Sequence, residues 1–189
     1  MLFTIVNIMR SKCRTNDFIA LSGPHLTYLV TANDPRNNNK AAITVSWATP
    51  ISVNPPLFGI VISPNKASNS VIQEASMFTV NILPITAVDE LLWAGSHSGR
   101  QYENKIKAAG LTAVPGRTDK NATSVAEAIA SFECKLRNVV PIGNHTLFIG
   151  EVVYVDADEN YFDFEKGIWI PETVQTLFYH ARNVFRTNR

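Results

Sequence analysis

Apolar and polar residues alternate with a period of two along much of the chain. That spacing predicts strands, because successive side chains of an extended backbone point to opposite faces. Leu26–Thr31 reads as a strand rich in β-branched and aromatic residues. In Ala41–Trp47 the pattern puts Ile43, Val45 and Trp47 on one face and Thr44 and Ser46 on the other. Leu57–Ile62 is nearly all apolar, as a buried strand should be, and Met77–Leu83 alternates again. Ala130–Val140 sets Phe132, Cys134 and Leu136 inward against Glu133, Lys135 and Arg137 outward, and His145–Val155 is a long apolar strand. The N-terminal run MLFTIVNIMRSK reads as a first strand. The polar stretch Asn33–Lys40 reads as a turn between strands.

Helical signals cluster in the middle. A short helix is expected over Asn65–Glu74, after Ser63-Pro64. Thr86–Asp89 has capping-box spacing and opens a helix toward Ala94. Ser98 and Gln101 have the same spacing and open a helix that ends at Gly110. Pro171–Arg189 is mixed, and its last residues from Tyr179 are too polar to assign. Strands, then helices, then strands again do not make a βαβ alternation. The expected fold is one domain over residues 1–189, mainly β with inserted helices, arranged as an antiparallel barrel. There is no G-x-G-x-x-G or Walker A pattern, which argues against a Rossmann or P-loop nucleotide site.

Composition narrows the function classes. The chain has 189 residues, 46% apolar and 17% charged, with a net charge of +1. This is the composition of a globular domain. A near-neutral chain lacks the basic excess that nucleic acid demands, so no nucleic-acid partner is expected. No stretch reaches the roughly 18 apolar residues of a membrane span, and the N-terminal run lacks a secretory leader's charged start. A cytoplasmic protein with no membrane partner is the resulting expectation. Cys13 and Cys134 are far apart, without His or Cys at metal-ligand spacing, so no metal site is expected. They read as reduced thiols, with Cys134 packed in the core.

Three places could carry chemistry. Ser63, Asn65, Lys66, Ser68 and Asn69 follow a buried strand and open a helix, where backbone N–H groups favour an anion such as phosphate. Ser98, Gly99 and Arg100 form a second polar helix start, and Arg can fork onto a phosphate. Taken alone, each is also an ordinary capped helix with exposed polar residues. Thr44 and Ser46, with Thr49 and Ser52 beyond, are hydroxyls that can address the polar edge of a ring, or simply a solvated strand face; Trp47 is a core candidate. His145, at the mouth of a strand, is placed either to move a proton or to make a turn. No Ser-His-Asp or Cys-His arrangement is readable.

Several ordered motifs carry a resemblance. Ala41–Ile72 reads AAITVSWATPISVNPPLFGIVISPNKASNSVI, followed by FTVNIL at Phe78–Leu83. Gly95-Ser96-His97-Ser98-Gly99-Arg100 follows, with Lys105 beyond it, then AAGLTAVP at Ala108–Pro115 and NHTLFIGEV at Asn144–Val152. Over roughly Gly23 to Val155 the chain resembles the flavin reductase-like family, which includes flavoredoxins and NAD(P)H:flavin oxidoreductases. The resemblance implies a Greek-key split β-barrel that binds FMN, usually as a homodimer with the flavin at its interface. FAD is the alternative, but a phosphate site without an adenine-pocket signature points to FMN. It implies NAD(P)H as co-substrate and a flavin-borne transfer to an acceptor. The alternatives are a tightly bound FMN carrier fed by a redox protein partner, and a non-catalytic ligand-binding barrel.

By the same resemblance the flavin ring lies near Thr44, Val45, Ser46, Trp47, Ala48, Thr49 and Ser52. Its phosphate lies near Ser63, Asn65, Lys66, Ser68, Asn69, Ser98 and Arg100, and His145 lies on the nicotinamide side as the catalytic candidate. The chain departs from the family pattern at Asn104, Ile106, Asn144 and the Asn-rich loop. Those departures bear on nicotinamide handling more than on flavin binding.

Overall fold

Period-two patterning is realised as strands in a computed structural model that describes residues 10–36, 39–181 and 184–188. The strands are β1 (His25–Leu26), β2 (Tyr28–Asp34), β3 (Asn39–Val45), β4 (Ala48–Val53), β5 (Pro56–Ile62) and β6 (Met77–Ile82) in the first half. Then come β7 (Ala113–Pro115), β8 (Thr123–Val125), β9 (Ala130–Ile142) and β10 (His145–Ala157). The last are β11 (Phe162–Asp163), β12 (Ile168–Trp169), β13 (Leu177–Ala181) and β14 (Val184–Thr187). Seven of them form one sheet in the order β3-β2-β6-β9-β10-β5-β4, antiparallel throughout. Its edge β3 packs back towards β5, with Ile43 and Val45 sharing one core with Phe58, Ile60 and Ile62, and the chain leaving β3 extends the β4–β5 ladder, where Val61 N–H donates to the Trp47 carbonyl at 2.8 Å. The sheet is therefore a barrel left open along β3, the expected split barrel. The expected N-terminal strand falls on residues 1–9, outside the described residues.

The barrel interior is filled by alternate residues of the strands, among them Val30, Ile43, Phe58, Ile60, Phe78 and Phe148. Cys134 lies there fully buried, and Cys13 is exposed and free. Two expectations about faces fail. β6 is buried at every position rather than alternately, because helices and loops cover its outer face. Glu133 points out of the barrel but is only 3% exposed. The 113–125 segment folds over it, and its carboxylate accepts the backbone N–H groups of Arg117 at 2.5 Å and Thr118 at 2.9 Å.

Helices α2 (Ala67–Ala75), α3 (Val88–Ser96) and α4 (Lys105–Ala108) close the barrel and cover its outside, whereas the short α1 (Phe18–Leu21) buries no residue and lies beside β13. In α2 the buried residues Ser68, Val71, Ile72 and Ala75 recur at helical spacing, and the last three join the barrel core. Leu91 and Ala94 of α3 pack with Leu29, Ala42 and Ile106 on the outer face of β2 and β3.

The expected capping box at Thr86–Asp89 does not form. The chain first makes a 3-10 turn over Ile85–Ala87, and α3 starts without a side-chain cap. The helix expected from Ser98 to Gly110 is broken in two. Ser98 Oγ accepts from Arg100 N–H at 3.3 Å and caps only a single turn, Gly99–Gln101. Lys40 N–H then bonds to the Glu103 carbonyl at 3.0 Å, holding that stretch extended against β3. α4 restarts under an Asn104 cap. The unassigned tail folds as the hairpin β13–β14, with β1 beside it.

Candidate functional site

One face of α3 presents Asp89, Leu92, Trp93 and Ser96, spaced i, i+3, i+4 and i+7, to a cleft of about 770 Å³. The ends of β3 and β5 form the opposite wall, and His145, Tyr179 and Phe185 complete it. α3 lies close on β3 because of Gly95: a Cβ there would stand 3.1 Å from Thr44 Cβ. The Thr44 hydroxyl donates to the Leu91 carbonyl. Thr44 lines the cleft, but its donor is committed to holding α3. Ser46 Oγ lies 3.4 Å from Thr27 Oγ1.

Trp47 leaves the inward face that alternation alone gives it. β3 ends at Val45 and the chain bends, so the alternation that put Trp47 with Ile43 and Val45 stops. Its half-buried ring faces the cleft against the His145 ring, with centroids 5.0 Å apart. His145 opens β10, and its Nδ1 is 2.7 Å from Asn144 Oδ1.

At the C-terminal end of α3 the character changes to cationic. A connected pocket of about 290 Å³ is lined by Asn65, Lys66, Ser68, Ser98, Gly99 and Lys105, among others. Lys105 is 3% exposed, and its Nζ donates to the Ala94 carbonyl at 2.6 Å. Burial, and secondarily the like charge of Lys66, push its amine down to about 8. An adjoining pocket brings together Lys66, Asn69, Gly99 and Arg100. There the buried Asn69 Nδ2 has no partner, while its Oδ1 accepts from Gln73 Nε2 at 2.7 Å. Gly99 lets this turn close on α2, since a Cβ would sit 3.3 Å from Ala67 Cβ. No carboxylate is among the described residues lining either pocket. Two lysines, an arginine, hydroxyls and an unpaired buried amide donor form a donor set that fits a phosphate monoester.

Among the residues expected from the sequence, Thr44, Val45, Ser46, Trp47, Ser63, Lys66 and His145 line the cleft itself. Asn65, Ser68, Asn69, Ser98 and Arg100 line the two smaller pockets at its cationic end. Ala48, Thr49 and Ser52 lie on the edge strand β4 and are not among the cleft's lining residues. Ala48 packs on the core, and the Thr49 hydroxyl donates to the Pro50 carbonyl at 3.3 Å.

Residue patterns missed Asp89, Leu92, Trp93, Tyr179 and Phe185. The first three carried a legible signal, their shared helical face. The last two carried none, because they come from a tail without a clear period. Lys105 was visible only as part of a motif, and its burial in the cationic pocket gives it a place in the site.

A split barrel with a helix-lined cleft that ends in a cationic pocket is the class of protein that fold and site define. Residues 22–188 match the family model described as the flavin reductase like domain, and the chain belongs to that family. An uncharacterized protein of Aeropyrum pernix is 31% identical over 84% of this chain, which spans only 58% of that relative's length. A flavin reductase of Pseudomonas putida is 28% identical over 85% of this chain and 91% of its own. The structure is similar to that of an FMN-binding protein from Thermus thermophilus solved with 1-cyclohex-2-enone bound. The two share 27% identity with a TM-score of 0.79, over 96% of each chain.

Proposed function

We propose that this chain is an FMN-binding oxidoreductase that transfers reducing equivalents from NAD(P)H to an acceptor by way of the flavin, and that it works as a homodimer. The observation that carries the proposal is the pairing of an aromatic-walled cleft with a pocket holding two lysines, an unpaired buried amide donor and no carboxylate. An isoalloxazine ring and a phosphate on one ligand match those two halves. FAD would need a further adenine pocket.

When bound, FMN supplies a ring that accepts a hydride and releases electrons singly or in pairs. The protein's part is to bind, orient and shield. Lys66, Lys105 and Arg100 neutralise the phosphate, and Asn69 Nδ2 gains the partner it lacks. Ser46 and the backbone at the end of β3 would hold the polar edge of the ring. Trp47 and His145 wall the cleft, and His145 is placed to position a nicotinamide or move a proton at the acceptor. Thr44 acts indirectly, by holding α3 against β3.

The test is a visible spectrum of the protein with FMN added, followed by NADH under anaerobic conditions. Bound flavin that bleaches rapidly supports the reductase. Bound flavin that stays yellow makes the protein a carrier fed by a redox partner. A protein that binds no flavin refutes the proposal.

A further inference from the structure

The outer face of β2, β6 and β9 is polar where the 113–125 segment covers it. Val30, Ala32, Phe78, Val80 and Cys134 point into the barrel, so their strand neighbours Thr31, Asn33, Thr79 and Glu133 point out. Thr79 pairs with Thr31 on one side and Glu133 on the other, and it is 0% exposed. The covering segment satisfies the groups around it. The Thr31 hydroxyl donates to the Thr123 carbonyl, and Asn81 Oδ1 accepts from Val125 N–H at 3.2 Å. The Glu133 carboxylate accepts the Arg117 and Thr118 N–H groups and the Thr118 hydroxyl. The Thr79 hydroxyl, in their midst, has no partner.

Two more buried atoms without partners lie under the same loop. Asn33 N–H donates to the Asn121 carbonyl at 3.0 Å, and Asn33 Nδ2 to the Lys120 carbonyl at 3.2 Å. Asn121 Nδ2 donates to the carbonyl of Ala75, the last residue of α2, at 3.2 Å. These bonds fix both amides, because turning either one would set its oxygen against a carbonyl. Asn33 Oδ1 and Asn121 Oδ1 are left buried and unpaired. Of the four such side-chain atoms among the described residues, only Asn69 Nδ2 lies elsewhere, at the cationic end of the cleft.

We infer that Thr79 Oγ1, Asn33 Oδ1 and Asn121 Oδ1 hold one buried water, which latches the 113–125 segment to the sheet and to α2. The water donates its two hydrogens to the amide oxygens and accepts the Thr79 hydroxyl. That makes three hydrogen bonds, the usual count for a buried water. Asn33 is diagonal to Thr79 across the β2–β6 pair, where Cβ atoms stand roughly 7–8 Å apart. Polar groups at that separation meet through a water rather than directly. A cation is the competing occupant, and local charge opposes it. Glu133 is already met by three donors, and Arg117, Lys120 and Lys135 bring positive charge from the loop and from β9. The site stands apart from the cleft and does not depend on the flavin reading.

The test reads the water directly and by substitution, in the full chain. Water-selective NOE and ROE spectra of the wild-type protein should show a long-lived water beside the Thr79 methyl group. Thr79→Val should lower the urea midpoint, because the water loses its donor and two amide oxygens are stranded. A hydroxyl with no water would behave the opposite way, since its removal relieves a buried unsatisfied group and raises the midpoint. Thr79→Val and Asn33→Ala should be less than additive when combined, as expected of side chains that share one water. Sodium, potassium and calcium chlorides at equal ionic strength should give the same wild-type midpoint. A rise specific to one cation puts a cation in the site and overturns the inference. So does a missing water signal, a midpoint unchanged or raised by Thr79→Val, or full additivity. If Thr79→Val does not fold, the wild-type spectra decide.

Discussion

Lys105 concentrates much of the site's electrostatics in one side chain. Its amine is buried, hydrogen-bonded only to the Ala94 carbonyl among the bonds described, and depressed to about 8 by burial and by Lys66. Between about 8 and the ordinary 10.5 the unfolded chain binds more protons at this position than the fold does. The flavin-free protein should therefore gain stability as pH rises through that window, which denaturant titrations at pH 7.5 and 9.5 would read. Ligand preference should move the other way. As pH rises past about 8, Lys105 of the free protein gives up its proton, so the preference for FMN over riboflavin should shrink between pH 7 and 9.5. Lys105→Met should cost FMN about 1.5–3 kcal/mol of binding, the scale of a charged hydrogen bond, and leave riboflavin nearly unaffected. Arg100→Ala should cost less, because Arg100 is exposed. The two thiols should differ as sharply. Burial pushes the Cys134 thiol up, with Glu133 adding to it, whereas Cys13 is exposed. A thiol reagent should label one cysteine in the folded protein and both only after denaturation.

Among the elements, strand β10 depends on a close approach that only glycine permits, and helix α3 on a tight one at Gly95. A Cβ at Gly150 would stand 2.6 Å from the Phe78 ring and 2.7 Å from Cys134 Cβ, at an irregularity in the β9–β10 pairing. Gly150→Ala should destabilise the barrel by about 1–3 kcal/mol, the usual cost of overpacking, as a shift in the urea midpoint. Gly95→Val acts on the site instead. It would push α3 away from Thr44, widening the cleft, and should weaken flavin binding more than it lowers the melting temperature. The hairpin β13–β14 shows the limit of local reading: its strands are short and half-polar, and they are ordered by docking on β1 and on the cluster under α3.

For the whole molecule, the outer surface of the barrel is the informative feature. Val53 is 93% exposed and Val155 63% exposed, and Ile51, Ile142 and Val153 are also exposed on β4, β9 and β10. Solvent-facing apolar residues on sheet edges and long hairpins are a liability for a lone barrel and material for an interface. The expected outcome in analytical ultracentrifugation is a homodimer that dissociates on Val53→Lys or Val155→Lys. If the flavin lies at that interface, the same substitutions should lower FMN affinity without touching the lysine pocket. A wild-type protein that sediments as a monomer would refute the dimer.

Period-two patterning and the ordered motifs by themselves determined six of the seven barrel strands, all but β4, together with the helix α2, the barrel class and the family, because those depend on local side-chain alternation and on short segments that keep their order. They also marked Lys66, Ser68, Asn69 and Ser98, which line the cationic pockets proposed to take the phosphate. Tertiary structure decided the rest. It turned Trp47 from the inward face to the cleft wall, because β3 ends at Val45, two residues before Trp47, and the alternation stops there. It spent the Thr44 hydroxyl on α3, split the Ser98–Gly110 helix by pairing its middle with β3, and covered Glu133 with a distant loop. It also brought Asp89 and Trp93 of α3 and Tyr179 and Phe185 of the hairpin to a single cleft. Those placements arise from contacts between segments as much as about 90 residues apart in the chain, and no local period records which distant segment will cover a face or supply a hydrogen-bond acceptor.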